Sequence, residues 1–276
     1  GRRISRAAAH EEHQRERGNE CREFFQGHAS RVLEWIACMI RQYPPAVKRP
    51  YRAGGAACRT ALYPYRELLR HNGFYFWMFK SPMKAVLTEK YGNAYAGETM
   101  KKSKKVYREL VGKAADIGDD NPMAYNELFA LAFVAPYIAS GKKIPLETVQ
   151  EMMRRSLYHI KWYFAKTDLN TDKGKAENKK SIVKYVKWYT PEKEKQYPTS
   201  FKVDFEGQPH EGACYYRITR CPICAYAEKL GVSELMPLFC ELDEVMITLQ
   251  HGVLHRKQTL ANGGEFCDYY ITGNRE

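Results

Sequence analysis

Phe201-Lys202-Val203-Asp204-Phe205-Glu206 alternates apolar and charged side chains with period two, the pattern of a strand that buries one face and wets the other. Gly207 to Gly212 then turns the chain, and Cys214 to Thr219 reads as a second strand, so the pair predicts a hairpin. Downstream, Pro222 to Leu230, closed by Gly231, and Ser233 to about Leu249, with Glu234 in its first turn, read as two helices. Val253 to Leu260 and Phe266 to Ile271, joined through Asn262-Gly263-Gly264, read as a second hairpin. The order strand, strand, helix, helix, strand, strand predicts an antiparallel sheet with helices packed on one face.

Upstream of that stretch the period changes to the three-and-four spacing of amphipathic helices. One helix is expected within Asn19 to Tyr43, on Phe24, Phe25, His28, Val32, Trp35, Ile36, Met39 and Ile40, and a short one around Leu62 to Arg70. Ser81-Pro82 reads as an N-cap followed by proline at the first helical position, opening a helix that runs to Tyr91 and stops at Gly92. Further helices are expected from Glu98 to Val111, from Asn121-Pro122 through Leu128, Leu131, Phe133, Val134 and Ile138, and from Ile144-Pro145 to Phe164. In the last of these, Met152, Trp162 and Tyr163 read as core side chains. Thr167 to Lys180 is polar and lysine-rich, as a mobile connection would be. The expected class is therefore α+β: a helical region over 1–166, a polar Lys-rich connection over 167–200, and an α+β, cysteine-containing domain over 201–276.

With 276 residues, 44% hydrophobic and 13% aromatic, the chain can bury a sizeable core. Its 44 Lys and Arg against 32 Asp and Glu leave a net charge of +12, which favours anionic partners. The excess is scattered, with runs such as Lys101-Lys102-Ser103-Lys104-Lys105 that read as solvated faces, so nucleic acid is not the expected partner. The most apolar stretch, Leu128 to Ala139, contains Pro136 and is shorter than the ~20 residues that span a bilayer; no membrane partner is expected. Of eight cysteines, three lie in the first sixty residues and five from Cys214 onward. A chain this large needs no disulfide staples, so reduced thiols and a cytoplasmic location are the expectation.

The residues able to carry chemistry concentrate after Cys214. On the helix from Ser233, Cys240, Asp243, Glu244 and Ile247 fall at i, i+3, i+4 and i+7 and share a face. A carboxyl beside a thiol suits general acid or base work; a surface carboxylate or an ion-pair partner is the plain structural role for Asp243. Cys221-Pro222-Ile223-Cys224 has the spacing of half a zinc site or of a redox pair. If Cys221 caps the following helix, the helix dipole would lower its thiol pKa. His251 and His255 lie on a strand, about 13 Å apart by its rise, which argues against a shared metal. His255 and Arg256 fall on opposite faces of that strand, and either could line a pocket. In the last strand Cys267 and Asp268 point to opposite faces, so one of the two is structural. Gly263-Gly264 is explained by the turn alone.

Cys221-Pro222-Ile223-Cys224, then Leu230-Gly231, Glu234-Leu235 and Pro237, then Phe239-Cys240-Glu241-Leu242-Asp243, then Thr259-Leu260-Ala261-Asn262-Gly263-Gly264 and Cys267-Asp268-Tyr269 resemble the L-2-amino-thiazoline-4-carboxylic acid hydrolase family in order and spacing. The domain is also similar to vinyl-reductase-like small-molecule-binding domains. The resemblance to the hydrolase family implies an enzyme that opens a cyclic carbon–nitrogen bond in a small carboxylate-bearing heterocycle, a thiazoline or cyclic amidine. It also implies Cys221, Cys240, Asp243, Cys267 and Asp268 as candidate catalytic residues, while Cys224 departs from the family pattern. His255 and Arg256 are the candidate substrate-binding residues, Arg256 for the carboxylate. No cofactor is required by this reading, although the cysteines leave zinc open, as they leave open a non-catalytic small-molecule or metal-binding sensor. A homo-oligomer is compatible with the unassigned amino-terminal segment.

Overall fold

The computed structural model describes residues 73–118, 120–205 and 214–276; the helices expected in Asn19 to Tyr43 and Leu62 to Arg70 lie outside them. The fold is α+β, a helical region followed by a four-stranded antiparallel sheet. Helix α1 spans Phe74–Lys113 and is broken at Gly92, whose φ of 81° and ψ of 164° leave the helical region. Glycine adopts that positive φ without the steric cost a β-carbon would bring. The break fell where the sequence placed it, but the helix opens at Phe74, not at Ser81, and Pro82 is buried inside it. The apolar run Phe74 to Phe79 extends the helix toward the N-terminus past the cap signal.

Helices α2 (Ala124–Ala139) and α3 (Leu146–His159) pack against α1. Phe79 stacks on Phe133 at 5.0 Å between ring centroids and meets Phe129 edge-on at 4.9 Å, geometries that aromatic quadrupoles favour. Met83, Leu87, Val149, Met152, Met153 and Leu157 fill the same core with no exposed surface. At Ile160 the backbone leaves helical geometry, and a single turn, α4 (Lys161–Phe164), follows. That bend corrects the reading of Trp162 and Tyr163 as core: they are 52% and 56% exposed, with the Lys166 ammonium over the Trp162 ring.

The expected polar connection is also corrected, because 167–200 holds two helices, α5 (Asp172–Trp188) and α6 (Pro191–Gln196). Each has a threonine N-cap: Thr171 accepts from the Gly174 N–H and Thr190 from the Lys193 N–H, satisfying donors that a helix start leaves open. A β-carbon at Gly174 would fall 1.8 Å from the Asp168 carbonyl oxygen, so the turn into α5 requires glycine. Lys173, Lys180, Lys184 and Lys187 of α5 are exposed, while Ile182 and Tyr185 are buried against the sheet. The amphipathic period was masked by the high lysine content.

Strands β1 (Lys202–Asp204), β2 (Cys214–Arg220), β3 (Gly252–His255) and β4 (Cys267–Gly273) form an antiparallel sheet in the order β1-β2-β4-β3. Helix α7 (Pro222–Lys229), a short 3-10 turn (Ser233–Leu235) and α8 (Met236–Leu249) connect β2 to β3. Tyr216, Ile218, Cys267, Tyr269 and Ile271 point from the sheet into an apolar cluster with Ile182 and Tyr185 of α5 and Ile247 of α8. A second cluster joins α1, α2 and α3 to Tyr226, Ala227, Leu242 and Val245 of α7 and α8. Tyr226 donates to the Leu110 carbonyl at 2.9 Å and Tyr137 to Glu234 at 2.9 Å. These bonds fix α7 and the start of α8 on the helical layer, and α8 thus has one side on the helices and another facing the sheet.

Candidate active site

Helix α8 and strand β4 bring Cys240, Asp243, Cys267 and Tyr269 together, and Arg256, just beyond β3, reaches between them. Helical spacing puts Cys240 and Asp243 one turn apart on the side of α8 that faces the sheet. Period-two alternation puts Cys267 and Tyr269 on the inner face of β4. Asp243 Oδ2 accepts from Arg256 Nη2 at 2.8 Å and from Tyr269 Oη at 2.8 Å. The remaining guanidinium nitrogens are engaged too: Nη1 donates to the Cys240 carbonyl at 2.9 Å and Nε to the Asp268 carbonyl at 3.3 Å. The Arg256 side chain is only 7% exposed, and its carbon centre sits 4.3 Å from the Tyr269 ring centroid, a cation–π contact. Tyr269 in turn stacks on Tyr216 at 4.5 Å with the rings 10° apart.

This arrangement makes Arg256 a clamp between α8 and β4. Burial opposes its charge, but Asp243 and Tyr269 more than offset it, so the guanidinium stays protonated. The Tyr269 phenol is pushed well up by burial and by the Asp243 charge and keeps its proton. The expectation that Arg256 would meet a substrate carboxylate is revised by this geometry, since all three of its nitrogens have protein partners.

The Cys240 and Cys267 thiols share a hydrogen bond that separates them chemically. Cys267 is pulled down to about 7, first by the bond from Cys240, against burial, with the Leu260 N–H and the Arg256 charge adding. The Leu260 N–H donates to its sulfur at 3.2 Å. Cys240 is pushed up by the same shared bond, then by burial and by Asp243. One sulfur of the pair therefore carries thiolate character near neutral pH while the other holds a proton.

The other candidates lie elsewhere. Asp268, on the outer face of β4, accepts from the backbone N–H groups of Lys257 and Gln258 at 2.9–3.0 Å. It thereby shapes the loop that carries Arg256. Of Cys267 and Asp268, the residue that faces the site is Cys267. His255 is exposed on the outer side of the sheet, with its Nε2 3.0 Å from Thr272 Oγ1 and its ring on Tyr270. Cys221 sits at the N-cap of α7 and shares a hydrogen bond with Cys224. The expected lowering of its pKa is overturned: the Cys224 thiol and burial push it well up, and the contribution of the helix start does not compensate. Among the described residues, no group of three or more His, Cys, Asp or Glu side chains is placed to hold a metal ion.

Tyr269, Tyr216 and the Leu260 N–H went unnoticed in the sequence. Tyr269 was within reach of that reading, as the inward neighbour of Cys267 two residues on. The Leu260 amide carried no signal, because a backbone donor becomes part of a site only through the fold.

All of these side chains fall within residues 125–271, which match the family model described as L-2-amino-thiazoline-4-carboxylic acid hydrolase. The match covers more than half of the 276 residues. The chain belongs to that family. No curated protein and no solved structure gives a significant match. The family's description names a hydrolase of a thiazoline carboxylic acid. No described helix is long and apolar enough to cross a membrane.

Proposed function

We propose that this protein is a hydrolase that opens a small, carboxylate-bearing heterocycle of the thiazoline or cyclic amidine type, with Cys267 as nucleophile. The observation that carries the reading is the Cys240–Cys267 pair held under Arg256, two adjacent thiols with opposite proton affinities. The Cys267 thiolate attacks the amidine carbon to give a tetrahedral adduct. Cys240 passes its proton to the ring nitrogen, and the ring carbon–nitrogen bond breaks. Water then attacks the enzyme-bound thioimidate and expels the Cys267 thiolate, leaving an opened, carbamoyl-type product. Asp243 acts through Arg256, keeping the guanidinium beside Cys267, and does not itself take a proton from water. The reading requires no metal ion. Free thiols at Cys221, Cys224, Cys240 and Cys267 suit a reducing, cytoplasmic setting.

The test is turnover of a panel of 2-aminothiazoline carboxylates and cyclic amidines by the full chain and by its Cys267→Ser variant. The expected result is ring opening by the parent protein alone, with a new titratable amine. A new titratable thiol in the product would assign the carbon–sulfur bond instead. Tight binding of panel members without turnover would assign the protein as a small-molecule sensor.

A further inference from the structure

Two thiols from elements far apart in sequence, tied to one buried guanidinium through the backbone beside them, form a chemical unit beyond hydrolysis. Arg256 bonds the carbonyl of Cys240 at 2.9 Å and that of Asp268, the neighbour of Cys267, at 3.3 Å. One buried cation therefore holds the backbone beside both sulfurs. Cys240 is partly exposed and Cys267 is buried. The clamp keeps the two thiols on neighbouring backbone before any oxidant arrives, which raises the effective concentration of each thiol toward the other.

We propose that Cys240 and Cys267 are a reversible oxidation site that forms an intramolecular disulfide with hydrogen peroxide. The Cys267 sulfur attacks one peroxide oxygen, the O–O bond breaks, and hydroxide leaves and is protonated to water. Cys267 is then a sulfenic acid. The Cys240 sulfur attacks the Cys267 sulfur, the S–O bond breaks, and the oxygen leaves as water with the Cys240 proton. Overall two thiols lose two electrons and hydrogen peroxide becomes two waters. A bonded S–S separation is about 2.0 Å, so closure removes the Cys267 lone pair from the Leu260 N–H and from the Arg256 charge. A small dithiol reductant reverses the step by exchange.

The loss of hydrolysis that would accompany closure rests on the function proposed above; the disulfide itself does not. The full chain is therefore exposed to stoichiometric hydrogen peroxide under native conditions, and its cysteine-containing peptides are mapped by mass spectrometry with and without dithiothreitol. The expected result is a cross-link between the peptides bearing Cys240 and Cys267, reversed by dithiothreitol, retained in Cys224→Ser, and absent in Cys240→Ser, where Cys267 stops at the sulfenic or sulfinic acid. A cross-link confined to Cys221 and Cys224, or over-oxidation of Cys267 in the parent chain, would overturn the proposal. If the cross-link forms and Cys267→Ser still hydrolyses the panel, Cys267 is not the nucleophile and the oxidation site stands.

Discussion

Among the described residues, Cys221 with Cys224 and Cys240 with Cys267 form two cysteine pairs, and they differ in what surrounds them. Cys221 and Cys224 are three residues apart at the start of α7, a spacing visible in any reading of the sequence. Cys221 is pushed up by Cys224 and by burial. Cys240 and Cys267 come from a helix and a strand 27 positions apart, and only the fold joins them. There, the interaction with Cys240 favours the thiolate on Cys267, with the Leu260 N–H and the Arg256 charge adding, while the same interaction, burial and Asp243 leave the proton on Cys240. At Cys267 a cation and a fixed N–H donor add to the partner thiol in favouring the thiolate, and at Cys221 motif spacing and a helix start do not.

The sharpest way to break that contrast is to remove one sulfur from each pair. Cys267→Ser is expected to lower kcat/KM on the responsive panel member about a thousandfold, as loss of a nucleophile does. Cys221→Ser is expected to leave it within about threefold. Equal losses would erase the distinction between the pairs.

Next in size is the clamp. Arg256→Met leaves Asp243 with one donor instead of two and removes the cation beside Cys267, and is expected to cost about 3 kcal/mol in chemical denaturation. It should also move the pH midpoint of kcat/KM upward. Arg256→Lys keeps a charge but not the three-way fork, so it should restore part of the pH profile and little of the stability. A Met variant as stable as the parent would show that α8 and β4 are held by packing alone.

A smaller effect is expected from the loop. Asp268→Asn keeps the shape but loses the charge that three backbone contacts share, and is expected to cost about 2 kcal/mol. Because it displaces Arg256 only indirectly, kcat should fall less than tenfold. Tyr269→Phe, which removes one of the two donors to Asp243 and keeps the ring under Arg256, should cost about 1 kcal/mol and change the pH profile least.

Much of the fold was legible in the sequence because it depends on local pattern. The alternation at Phe201 to Phe205, the glycines at Gly92 and Gly231 and the order of elements after Cys214 place the sheet and its helices. Alternation also separated Cys267 from Asp268, and helical spacing joined Cys240 to Asp243. What failed was where local signals compete. The Ser81-Pro82 cap signal lost to an apolar run that starts the helix earlier, and the many lysines of α5 hid the buried Ile182 and Tyr185. The site was less legible than the fold, because its deciding contacts are long-range. Nothing about Arg256 in the sequence says that it bonds Cys240, Asp243 and Asp268 together, and nothing about Leu260 says that its amide meets a sulfur.

The central claim is that Cys267 holds a thiolate near neutral pH while Cys221 does not. The direct measurement is the rate of iodoacetamide labelling of each cysteine, resolved by peptide mass spectrometry, from pH 5 to pH 10. With a pKa pulled down to about 7, Cys267 loses its thiolate as pH falls through that value, so its labelling and kcat/KM should rise together across it and level off above. Cys221 should still be rising at the top of the range. Labelling of Cys267 with a midpoint at or above the ordinary thiol value of about 8.5, or earlier labelling of Cys221, would contradict the account.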